Sequence, residues 1–81
     1  MTREDLVELL AERPFIPQRL HLSNGRSHDI MHPEMAIVSD WLVAIGVPRD
    51  EDPSAVGRIR LCDLRHVVEA EPLRTADAAP E

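Results

Sequence analysis

The spacing of apolar positions changes character along the chain. Leu6, Val7, Leu9 and Leu10 recur at helical intervals, with Thr2 placed to cap and Glu4 and Asp5 in the first turn, where the positive end of the helix dipole favours them. They predict a helix over about residues 2–13, ended by Pro14. A helix of about ten residues is marginal alone, so its stripe must lie on an apolar end or face of a sheet. From residue 17 the period drops to two. Arg19, Leu20, His21 and Leu22 alternate, Ser27 to Met31 alternate again, and Asn24-Gly25 between them tolerates positive φ, which predicts a β-hairpin with strands at about 17–23 and 26–31.

Two registers of that hairpin compete. With Asn24-Gly25 alone as the loop, Leu20 faces Asp29 and Leu22 faces Ser27, a mixed face that is poor to bury. With Ser23-Asn24-Gly25 as the loop, a type I turn with glycine at the left-handed bulge position, Leu20 opposes His28 and Arg19 opposes Asp29. The second register is preferred, because Leu20, Leu22 and Ile30 then share a face and an opposite-charge pair lies across the strands. It leaves Arg19, His21, Ser27 and Asp29 outside and His28 at a core edge.

His32-Pro33-Glu34 breaks the second strand, since proline has no donor and biases the residue before it away from helix. The stretch 35–47 reads as a strand region, with Ser39-Asp40 a plausible turn before Trp41-Leu-Val-Ala-Ile-Gly-Val47, the expected central strand with apolar residues on both parities. Trp41 is expected to plug one end of the core. Residues 48–57, with two prolines and three consecutive acids, mark an exposed loop. Their spacing lacks the alternation of a calcium loop. The strand at about 58–62 puts Ile59 and Leu61 on one face and Arg58, Arg60 and Cys62 on the other. Asp63-Leu64-Arg65 is a tight turn, a last strand covers about 66–71, and 73–81 is expected to be disordered.

These elements make a mainly β domain over 1–72 with one N-terminal helix: a small five-stranded antiparallel bent sheet or partly open barrel. A short helix, a strand ending in Leu22-Ser-Asn-Gly-Arg26, and further strands of which the last two are joined by a tight turn resemble an Sm-like or SH3-like barrel, and the local detail at 22–26 is similar to the bacterial Sm-like RNA chaperones. The resemblance covers about residues 5–72 and implies an RNA-binding ring. It departs at the sites. That family's RNA-contacting Tyr-Lys-His run falls near Leu61-Cys62-Asp63, and its basic helix rim is replaced by Glu4, Glu8 and Glu12, so the barrel carries over and uridine binding does not. The order Pro-Phe-x-Pro, Leu-Ser-x-Gly-Arg, His-Pro-Glu also resembles a small bacterial family for which no activity is known.

Composition narrows the picture further. Eighty-one residues with Phe15 and Trp41 as the only aromatics require an aliphatic core. A chain this short buries about 60% of its unfolded surface, so modest stability or oligomerisation is expected. Nine basic against fifteen acidic residues give a net charge of −6, which repels phosphate backbones and anionic lipid at long range. Cys62 stands alone, so no internal disulfide forms and a reducing, cytoplasmic setting is expected. No stretch approaches 18 consecutive apolar residues and no secretory signal is expected.

Candidate chemistry is sparse. His28, Asp29, His32 and Glu34 are the ligand types a divalent ion takes, and His28, His32 and Glu34 are the candidate metal set. On an extended strand His28 and His32 lie about 13 Å apart, so only a bend at Pro33 brings them together. Ser23 or Ser27 with His21 and Asp29, and Cys62 with His66, lack any surrounding oxyanion loop or nucleophile elbow, so no enzyme activity is expected. Arg19, Arg26, Arg58 and Arg60 are the candidate RNA or anion contacts; on an outer barrel face Arg58 and Arg60 fall near Arg19. No exposed aromatic stacks a base. The expected function is a non-enzymatic interaction module, without cofactor, that forms a homo-oligomer or binds another protein through sheet edges. An Sm-like RNA-binding oligomer is the alternative, and a divalent-metal protein the second.

Overall fold

The computed structural model of the protein describes residues 1–53 and 55–73. Helix α1 (Arg3–Ala11) leads into strands β1 (Gln18–Leu22), β2 (Ser27–Ile30), β3 (Ala36–Val38), β4 (Leu42–Pro48), β5 (Val56–Asp63) and β6 (Val67–Pro72). The strands form two three-stranded antiparallel sheets, ordered β2-β1-β6 and β3-β4-β5, and the two do not close into a continuous barrel. Six strands replace the expected five because the Ser39-Asp40 turn divides 35–47 into a hairpin, closed by Ser39 N–H donating to the Leu42 carbonyl at 2.8 Å, while Ser39 Oγ accepts from Leu42 N–H at 3.0 Å. Two 3-10 turns make the corners between sheets, Pro33–Met35 from β2 to β3 and Leu64–His66 from β5 to β6.

Helix α1 is capped as its sequence dictates. Thr2 Oγ1 accepts from Asp5 N–H at 3.1 Å, and Leu6 is the helix residue that reaches full burial. The Met1 ammonium donates to the carbonyls of Leu64 and Val67 at 3.1 and 3.0 Å, which ties the helix start to the second corner. The β1–β2 hairpin takes the three-residue loop: Gly25 has φ +86°, Leu22 N–H donates to the Arg26 carbonyl at 2.8 Å, and Arg19 pairs with Asp29 and Leu20 with His28.

The core lies between the sheets and is aliphatic: Leu6, Leu20, Ile30, Val43, Ile45, Leu64 and Val67, with Cys62 among them. Gln18 joins them, 1% exposed, because it shares the inward parity of Leu20. Its Nε2 donates to the Ile16 carbonyl at 3.2 Å, and its Oε1 has no partner. Trp41 does not plug the core. It is 60% exposed in the β3–β4 turn, where its carbonyl accepts from Leu64 N–H. Leu73, expected to begin a disordered tail, is buried and donates its N–H to the Pro17 carbonyl at 2.7 Å; the rest of that tail, 74–81, lies outside the described residues. Among the described residues no helix is long and apolar enough to cross a membrane.

Candidate functional site

Strand β5 faces the opposite way from its sequence pattern. Cross-strand partners share a face, and β5 pairs Cys62 with Val43 and Arg60 with Ile45, both buried core positions of β4. Cys62 and Leu64 are anchored in the core at the corner, so counting back along the strand turns Leu61 and Ile59 outward. They are 69% and 64% exposed, while Arg60 is half-buried on the inner face. Leu61 and Ile37, the latter 72% exposed, flank Ala44 across three strands, and Ile59 lies beside Gly46. The small Ala44 and Gly46 leave a shallow furrow of about 110 Å³ along this outer face, bordered by Met35, Ile37 and Ile59.

The ends of the sheets are equally informative. Strands β2 and β3 are edges of four and three residues, short enough to offer little to a passing chain. Strands β5 and β6 are edges of eight and six residues, each paired on one side among the described residues. Each is bulged near its start, at Gly57 and at Val68, and runs on regularly afterwards. Neither carries lysine, and proline appears only as the last residue of β6.

A cleft of about 600 Å³ opens where the core gives out, between the tip of the β1–β2 hairpin and β5. Arg26 and His28 line it from the hairpin, Arg60 and Cys62 from β5, and His66 from the corner. Its one acid, Asp63, is engaged: it accepts from Arg65 N–H, Nε and Nη2 at 2.8, 3.1 and 2.8 Å, and those hydrogen bonds hold its carboxyl down to about 2. His66 Nδ1 is hydrogen-bonded to Ser23 Oγ at 3.0 Å. Burial, then the charges of Arg60 and Arg26, push the His28 imidazole below its ordinary value, while burial pushes the Cys62 thiol up against the opposing pull of Arg60.

The four arginines singled out in the sequence separate in space. Arg19 is held by Asp29 through Nε and Nη2 at 2.7 and 3.1 Å on the outer face of the first sheet. Arg58 is exposed on β5 opposite Val47. Arg26 and Arg60 alone of the four line the cleft. The candidate metal set does not assemble: His28 lines the cleft, His32 precedes the first corner, and Glu34 borders the outer furrow. Among the described residues no three histidine, cysteine, aspartate or glutamate side chains converge as a metal site. Cys62 and His66 both line the cleft, but a buried thiol whose proton affinity is raised is a poor nucleophile. The inward parity of Arg60 was the signal sequence reasoning missed, since it becomes visible only once β5 is registered against β4. No family model, curated protein or solved structure matches the chain.

Proposed function

We propose that the protein is a non-enzymatic interaction module that self-associates through the free edges of β5 and β6. The observation that carries this reading is the coincidence of long edges, paired on one side only among the described residues, with exposed aliphatic side chains: Ile59 and Leu61 on β5, and Val68 on β6. A monomer gains nothing from that arrangement, whereas a neighbour added to the edge satisfies backbone groups and covers apolar surface together. The edges also differ in charge. Arg58 and Arg60 stand on β5, and Glu69 and Glu71 on β6, so unlike edges attract and like edges repel. Head-to-tail pairing of unlike edges propagates, and it closes into a ring when the rotation allows.

The strand order supports an Sm-like arrangement within this reading. With β2 and β3 counted as one strand bent at Pro33–Met35, the chain presents five strands after a helix, the last two joined by the tight turn Leu64–His66. Amide hydrogen exchange as a function of concentration tests the proposal. Exchange at 58–63 and 69–71 is expected to slow between about 1 and about 500 µM while the β4 amides stay unchanged. Rates independent of concentration across both edges would overturn it.

A further inference from the structure

We infer that the cleft between the β1–β2 hairpin and β5 is a binding site for a small organic anion, an oxyanion carried on an apolar body. Its volume of about 600 Å³ is in the range of ligand pockets, and its lining is of two kinds. Arg26 lines it from the hairpin and Arg60 from β5, and Leu22, with Ile59 and Leu61 at the strand edge, adds apolar residues to the lining. Neither guanidinium has a hydrogen-bond or ion-pair partner among the described residues, in a chain where acids outnumber bases fifteen to nine. Arg19 and Arg65, by contrast, each hold a carboxylate through two guanidinium nitrogens.

Arg60 is the informative member. It occupies an inward position beside the fully buried Ile45, where an aliphatic side chain would extend the core, and it is half-buried there without a carboxylate. Partial desolvation of a lone cation is unfavourable, and an oxyanion bridging Arg26 and Arg60 offsets it. After burial, the charges of the two arginines are felt at His28, which stands on β2 and lines the cleft. The single acid of the lining is closed off by Arg65, so nothing inside the cleft competes for the guanidinium groups. Carboxylate and phosphate both satisfy this chemistry. The site goes beyond the edge-pairing reading; because residues 59–63 line both the cleft and the β5 edge, it is a property of the dilute protomer, before a neighbour is added.

Saturation-transfer NMR with phenyl phosphate, benzoate and benzyl alcohol tests it on protein dilute enough to leave the β5 edge free, about 10 µM. Binding of phenyl phosphate or benzoate is expected at roughly millimolar Kd or tighter, with benzyl alcohol bound more weakly; whichever anion binds better identifies the head group. Arg60→Gln and Arg26→Gln are each expected to weaken it about tenfold, Arg60→Lys to retain part of it, and Arg3→Gln on the helix to leave it unchanged. Phenyl phosphate should also raise the pKa of the His28 imidazole, because the bound charge opposes that of the arginines. The proposal is overturned by any of three results: no binding of either anion at about 10 mM, equal binding of benzyl alcohol, or affinity unaffected by both glutamine variants while their melting curves stay normal. Displacement of phenyl phosphate by oligo-U, with a salt dependence reporting several phosphates, would make the cleft a nucleic-acid contact and overturn the small-anion reading.

Discussion

The two sheets are built from similar lengths of chain and finished in opposite ways. In the sheet β2-β1-β6 the inner face is Leu20, Leu22, Ile30 and Val67, and the outer face is polar and paired: Arg19 with Asp29, and His21 Nε2 with Glu71 Oε1 at 2.9 Å. In the sheet β3-β4-β5 the outer face carries Ile37, Ile59 and Leu61 while an arginine points inward. The first sheet pairs the charges of its outer face and leaves Val68 exposed at its β6 edge. Among the described residues the second has exposed apolar surface and a cation, Arg60, without a carboxylate partner, and both features lie on β5, one of the two long edges paired on one side. This contrast along one strand is the ground for the proposed self-association.

The largest expected effect breaks that comparison at its root. Leu20→Ala in the first sheet removes a fully buried side chain and should cost about 3 kcal/mol, whereas Leu61→Ala, removing the same atoms from the outer face of the second, should stay within about 0.5 kcal/mol in dilute protein. Urea unfolding of the two variants at low micromolar concentration checks it; similar losses would show that Leu61 is a core residue after all. Next in size is Gln18→Leu. The Gln18 Oε1 is buried without a partner, so replacing the amide with an aliphatic group of similar volume should stabilise by about 1 kcal/mol in the same assay.

A smaller effect sharpens the picture of the cleft. The folded-state pKa of His28 is depressed, so below about pH 6.5 the unfolded chain takes up a proton that the folded chain does not. The stability His28 contributes is therefore fully present above that value and is lost as the pH falls towards the folded-state pKa. Urea midpoints at pH 7.5 and pH 5 should show this loss, and His28→Gln should reduce it; an equal slope in both proteins contradicts the assignment. The smallest effect belongs to Arg19 and Asp29. Both are about two-fifths exposed, so a double-mutant cycle should find weak coupling that fades at high salt. Salt-resistant coupling would mean that this face is covered as well.

What was legible in the sequence follows the same division. The hairpin register could be read because its determinants are local: the Ser23-Asn24-Gly25 loop, the shared face of Leu20 and Ile30, and the Arg19–Asp29 pair all lie within thirteen residues of one another. Thr2 as cap and Asp63-Leu64-Arg65 as a tight turn are local in the same sense. The facing of β5 is set from a distance by Val43 and Ile45, and its alternating pattern, taken alone, favoured burying Ile59 and Leu61. Trp41 failed for a related reason, since size and hydrophobicity argue for burial and only the hairpin turn around it explains its exposure. The cleft was half legible. Arg26 and Arg60 were candidates, but Arg19 and Arg58 were indistinguishable from them until pairing and register separated the four.

The edges of β5 and β6 are proposed to meet between copies of the chain. Sedimentation equilibrium at about 100 µM, on the wild type and on the Ile59→Lys/Leu61→Lys double variant, tests it most directly. The account predicts a wild-type mass that is a multiple of 9.1 kDa and a folded double variant at 9.1 kDa. A wild type that remains at 9.1 kDa, or a double variant with the same larger mass as the wild type, would contradict it.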